Sequence, residues 1–155
     1  MENLLRALLQ IPEVSALAEA VESGGCPAAV TGLSPVHRAQ IAAALSQRTG
    51  RPLVMVCADE TEALRLAEDL AALTGQTPRS LFARELFVPA GAVSSRQWEL
   101  KRVSTLYWLD RRACPILVAT AEGLLQNTVS RRRLSESVMT LEPGGRWDLS
   151  RLPDR

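Results

Sequence analysis

Ala28-Ala29-Val30-Thr31-Gly32-Leu33-Ser34-Pro35-Val36-His37-Arg38-Ala39-Gln40 reads as a short strand, a turn and the opening of a helix, the unit from which parallel α/β sheets are assembled. The same order of elements carries phosphate loops of the form G-x-x-x-x-G-K-[ST]. Their glycines let backbone N–H groups wrap the phosphates, their Lys reaches the terminal phosphates and their hydroxyl holds magnesium. With Gly32 as the opening glycine, His37 stands at the second glycine, Arg38 at the Lys and Ala39 at the Ser/Thr. Pro35 falls where a further glycine would stand in the G-x-x-G-x-G-K form, and it removes an N–H and fixes φ. Proline suits the first turn of a helix, and Ser34 before it suits an N-cap. The expectation is a plain strand-to-helix turn in which Gly32, Ser34, Pro35, His37, Arg38 and Ala39 are the vestige of a phosphate loop, with no bound cofactor.

Outward from this stretch, the pattern alternates between strand-like and helical segments. Leu4, Leu5, Leu8 and Leu9, then Val14, Leu17, Ala18 and Val21, predict two short helices broken at Pro12 and closed by Gly24-Gly25. A short strand is expected near Ala28 to Val30. The helix from Pro35 puts Ile41, Ala44 and Leu45 on one face and stops at Gly50. Leu53-Val54-Met55-Val56-Cys57-Ala58 is a continuous apolar run, which predicts a parallel strand covered on both faces. Asp59 with Glu62 forms a capping box for a helix whose buried stripe is Ala63, Leu66, Ala67, Leu70 and Leu73, ending at Thr74-Gly75.

A third strand is expected near Arg79 to Phe82, then a surface loop over 83–95. Next comes a helix from Ser95 to about Leu109, with Leu100, Val103 and Tyr107 inward and Arg96, Lys101 and Arg102 outward. Pro115-Ile116-Leu117-Val118-Ala119 predicts another buried strand, and Thr120 opens a short helix with Leu124 and Leu125. The alternation predicts a three-layer α/β fold, a parallel sheet flanked by helices, over residues 1–127. After that, Arg131-Arg132-Arg133, the strand-like Ser137 to Leu141 and the turn Pro143-Gly144-Gly145 read as the start of a second, truncated domain over 128–155.

A chain of 155 residues is long enough for a true core, burying roughly 70% of the surface its unfolded form exposes. Apolar residues make up 46% and aromatics only 4%, favouring aliphatic strands under Leu- and Ala-rich helices. A formal charge of +1 gives no global field for nucleic acid, so any such role needs a local patch. Cys26, Cys57 and Cys114 lack metal-site spacing and are expected to be small buried hydrophobes in a reducing cytosol. The N-terminus lacks the basic region of a signal peptide, and no run reaches membrane-span length, so a cytoplasmic protein with no membrane partner is expected.

Asp59-Glu60 after six apolar residues imitates a Walker B box, yet the cap accounts for the acidic residues without metal. His37 is the only histidine, which leaves no His cluster and no metal site in view. Arg131 to Arg133 lack interleaved aromatics, and Trp98, Trp108 and Trp147 are scattered, so neither a nucleic-acid stripe nor a base-stacking platform is indicated.

The Val30-Thr31-Gly32-Leu33-Ser34 turn, the loop from Phe87-Val88-Pro89 to Ser95, the segment Arg102-Val103-Ser104-Thr105-Leu106-Tyr107-Trp108-Leu109 and the run Ile116 to Leu125 together resemble the amino-terminal region of the bacterial transcription-repair coupling factors. That region is itself similar to the helicase-like second component of the nucleotide-excision-repair nuclease. The resemblance spans essentially the whole chain, and R-x-S-T-L-Y at Arg102 to Tyr107 is its most specific part. It implies the first lobe of a module like that second component: a P-loop NTPase/helicase-like fold with a degenerate phosphate loop, no catalysis and no cofactor of its own. In full-length members, motor domains using ATP and magnesium act on double-stranded DNA, displace stalled RNA polymerase and recruit the first component of the repair nuclease. Ser137 to Leu141 would then open the inserted domain that contacts this first component. The alternative is a divergent nucleotide-dependent P-loop enzyme, or the first lobe of an active helicase, with Arg38 in place of Lys.

Overall fold

In the computed structural model, residues 2–83, 96–139 and 143–144 are described. Two helices, α1 (Glu2–Leu8) and α2 (Pro12–Ser23), precede α3 (Pro35–Thr49). Then follow β1 (Leu53–Cys57), α4 (Glu60–Thr74), β2 (Arg79–Leu81), α5 (Arg96–Asp110), β3 (Ile116–Thr120), α6 (Ala121–Leu125) and α7 (Arg131–Ser137). The three strands form an all-parallel sheet in the order β1-β3-β2. Leu53 pairs with Ile116 and Cys57 with Thr120 on one side of β3, and Arg79 pairs with Leu117 and Leu81 with Ala119 on the other. Parallel neighbours require crossover connections, and the α/β alternation of the sequence supplies them.

Because side chains alternate across a strand, the central strand β3 serves two cores, Ile116 and Val118 on one face and Leu117 and Ala119 on the other. On one face, Cys57, Ile116 and Val118 pack with Ala39, Ala43 and Ala44 of α3 and with Ala63, Leu66, Leu70 and Leu73 of α4, joined by Leu5 of α1. The alanines of α3 bring its backbone close to the sheet. That is why the core face is Ala39, Ala42, Ala43 and Ala44 rather than the Ile41–Ala44–Leu45 stripe. On the other face, Leu81, Leu117 and Ala119 meet Leu106, Trp108 and Leu109 of α5. Thr105 Oγ1 ties that helix to β2 by donating to Ser80 O at 2.9 Å.

Several expectations are corrected. Residues 28–30 have no regular structure and are exposed, so the strand expected there does not form among the described residues; Ala28 and Ala29 give it little to bury. Among the described residues, β1 is covered on one face only. Val54 and Val56 are each 55% exposed, because α5 lies over β2 and β3 and leaves the β1 edge open. The inner side of α5 is Thr105, Leu106 and Leu109, with Leu100 and Val103 turned outward. Cys26 is exposed, whereas Cys57 and Cys114 are buried as expected. Arg131–Ser137 forms a helix capped by Ser130, whose hydroxyl accepts from Arg133 N. The expected strand Ser137 to Leu141 begins at the last residue of that helix, and 140–142 lie outside the described residues, as does most of the loop expected over 83–95. No helix among the described residues is long and apolar enough to cross a membrane.

Candidate functional site

α3 and α4 both begin at the carboxyl end of β1, the end of a parallel sheet where ligands enter α/β folds. Each start is closed by its own side chain. At α3, Ser34 is the N-cap, with extended backbone, and its hydroxyl accepts from His37 N at 3.4 Å. Pro35 occupies the first turn, where its missing N–H costs nothing. At α4, Asp59 Oδ1 accepts from Glu62 N at 2.8 Å, and Glu62 Oε2 reaches back to accept from Ala58 N at 3.3 Å. That is a capping box shifted by one residue at its return bond.

Arg38 joins the two starts. Its Nη1 lies 2.9 Å from Glu62 Oε1, so the side chain at the Lys position of a phosphate loop is held by a carboxylate of the neighbouring helix cap. Both groups stay partly in solvent, and a pair in that setting is worth no more than about 1 kcal/mol. Its consequence is positional: the guanidinium is directed to α4. Ala39, at the magnesium-ligand position, is fully buried in the core beneath α3. A hydroxyl there would point into the protein. Gly32 keeps a left-handed φ of 78° with open space around it, and His37 is exposed.

The structure therefore brings Ser34, His37 and Arg38 together with Asp59 and Glu62, while Ala39 faces away and Gly32 lies upstream in the exposed segment. Burial pushes the Cys57 thiol at the end of β1 upward, with Glu62 and Asp59 adding to the rise and Arg38 opposing it. A neutral thiol is a poor nucleophile and a poor metal ligand. Among the described residues, no three His, Cys, Asp or Glu side chains gather as a metal site. What remains is a pair of capped helix starts whose N3 donors and cation are already engaged by protein groups.

Reading the sequence missed a second cluster. Arg102 points inward, donating from Nη1 to Phe82 O at 2.8 Å and from Nη2 to Gly123 O at 3.0 Å and Gln126 O at 3.3 Å. Burial lowers its pKa from the usual guanidinium value. Gly123 lies so close to β2 that an added Cβ would sit 2.5 Å from Leu81 O. The signal was present in the spacing Trp98–Arg102–Thr105–Leu109, a second helical stripe that competes with Leu100–Val103–Tyr107.

No protein-family model, no curated protein and no solved structure matches this chain.

Proposed function

We propose that this chain is a non-catalytic α/β lobe of a cytoplasmic transcription-repair coupling factor, a DNA translocase that removes stalled RNA polymerase and recruits nucleotide-excision-repair proteins. In this proposal the lobe binds no nucleotide, and ATP, magnesium and double-stranded DNA belong to motor domains elsewhere in such a protein. The observation that supports a non-catalytic lobe is the ion pair between Arg38 and Glu62. The cation of the vestigial loop is turned to a helix cap, beside Ser34 as N-cap, with Pro35 lacking an N–H and Ala39 buried. A phosphate cradle needs free N–H groups converging on open space, and here the N3 donors of both helices, His37 N and Glu62 N, have side-chain acceptors.

Calorimetric titration of the chain with ATP and magnesium tests the non-catalytic assignment directly. The expected result is no heat of binding at nucleotide concentrations into the millimolar range. A dissociation constant near 1 μM, about −8 kcal/mol, overturns it in favour of a nucleotide-dependent enzyme. The family assignment has its own test, a titration of the repair nuclease's first component with this chain and with a chain continuing through the inserted domain. The longer chain is expected to bind far more tightly, since a specific interface needs about 800 Å² per partner. Failure of both chains to bind removes the coupling-factor assignment while leaving the nucleotide result standing.

A further inference from the structure

We infer that the outer face of α5 is a docking surface for an amphipathic helix with acidic flanks, contributed by another protein. α5 carries two apolar stripes. Leu106 and Leu109, with Thr105, face β2 and β3. Leu100, Val103 and Tyr107, spaced i, i+3, i+7, lie along the opposite side, with Leu100 65% and Val103 47% exposed. Single exposed apolar residues are ordinary on a protein surface, but Leu100 and Val103, exposed in line with the half-buried Tyr107, present the anchor spacing by which helices recognise one another.

Charge selects the occupant. Arg111 follows the stripe and lies over the Tyr107 ring, 5.2 Å from its centroid. α7 is joined to this end of α5 through Arg131 and Asp110. This end of the surface carries Arg111 and, on α7, Arg131 to Arg133, against two carboxylates, Asp110 and Glu136. Both carboxylates are already engaged, by Arg131 and by Arg132. A chain whose formal charge is only +1 thus concentrates an excess of cations beside an exposed apolar stripe. A second copy of this chain would bring like charges together, which disfavours self-association through this face. A nucleic-acid backbone would use the arginines and leave Leu100 and Val103 without a role. An acidic amphipathic helix meets both features.

The test uses the full chain and a fluorescently labelled helical peptide of about 18 residues, five turns. The peptide carries Leu at i, i+3, i+4 and i+7 and Glu on both flanks; a second peptide has Lys at every Glu position. Saturable binding of the acidic peptide is expected, with affinity at least about tenfold weaker for the Lys peptide. The same loss is expected when Leu100→Glu is combined with Val103→Glu, and a loss in the same direction with Arg111→Glu alone. These positions are exposed, and an unchanged circular dichroism spectrum and melting temperature establish that the variants fold. Four outcomes overturn the assignment: no saturation below about 1 mM peptide; equal binding of the Lys peptide; binding indifferent to Leu100→Glu/Val103→Glu; and a dimer in sedimentation that this double variant dissociates. A duplex of about 20 base pairs that binds more tightly than the peptide, and equally well to Leu100→Glu/Val103→Glu, assigns the arginines to phosphate and overturns it as well.

Discussion

Single residues at the junction of β2, α5 and α6 carry more of the fold than their sequence context advertises. Gly123 faces backbone, Leu81 O and the carbonyl carbon of Phe82, and backbone cannot swing aside as a side chain can. Gly123→Ala is expected to destabilise by about 3 kcal/mol, at the upper end of overpacking costs, lowering Tm on the order of 10 °C by thermal melting. Arg102 serves three carbonyls with one planar group. An ammonium cannot span the same fork, so Arg102→Lys should cost about 1–3 kcal/mol, read by urea denaturation, from the acceptor left unpaired. The buried thiols set an alkaline limit. Burial raises both Cys57 and Cys114 above the ordinary 9.0, against the opposing influence of Arg38 on the first and Arg79 on the second. The folded chain thus holds protons that the unfolded chain releases. Their contribution is intact below pH 9 and is lost as pH rises through the folded values. Tm should fall above that point, and less steeply in the Cys57→Ala/Cys114→Ala variant; identical slopes would contradict the assignment.

At the scale of elements, caps made the helix boundaries legible. Ser34, Asp59 and Thr120 each accept from the backbone N–H three residues on, and Gly50 and Gly75 close α3 and α4 in the left-handed region. The two caps flanking the vestigial loop differ in strength. The Asp59 bond is 2.8 Å and charge-assisted, whereas the Ser34 bond is 3.4 Å. Asp59→Ala should cost about 1–2 kcal/mol and Ser34→Ala about 0.5 kcal/mol, an order that thermal melts of the two variants check. Faces were harder to read than boundaries. Leu53 to Cys57 is apolar throughout, and nothing in such a run tells one covered face from two. In α5, apolar residues on both sides made the inner stripe ambiguous, and a guanidinium with three carbonyl acceptors displaced the outward reading of Arg102. At the candidate site, Ser34, Pro35 and Glu62 could be placed from spacing alone. The Arg38–Glu62 pair spans two helices and depended on how α3 and α4 pack, which no local pattern records.

Across the whole molecule the two faces of the sheet are unequally built. Leu70 and Val118, the largest fully buried side chains among the described residues, lie on the face shared by α3 and α4, where α1 adds Leu5. The opposite face relies on α5, held through Leu106, Trp108 and Leu109, the Thr105 bond to β2 and the Arg102 carbonyl cluster. Beyond it, Val54 and Val56 on β1 remain open to solvent. Regions with fewer buried apolar contacts open at lower free energy than the global transition. α5 and the α7 helix attached to it should therefore exchange amide hydrogens through a sub-global opening, while β3 and α4 exchange only on complete unfolding. Native-state hydrogen exchange under increasing urea separates the two. Amides of α5 should show a lower opening free energy and a smaller denaturant dependence than those of Val118 and Leu70. Arg102→Lys should widen the gap, since it loosens α5 from β2 and α6 without touching the α3–α4 side. Exchange of α5 and β3 along a single isotherm, in both the parent chain and Arg102→Lys, would mean that the two faces unfold as one unit and that the buried guanidinium is not what fastens the second.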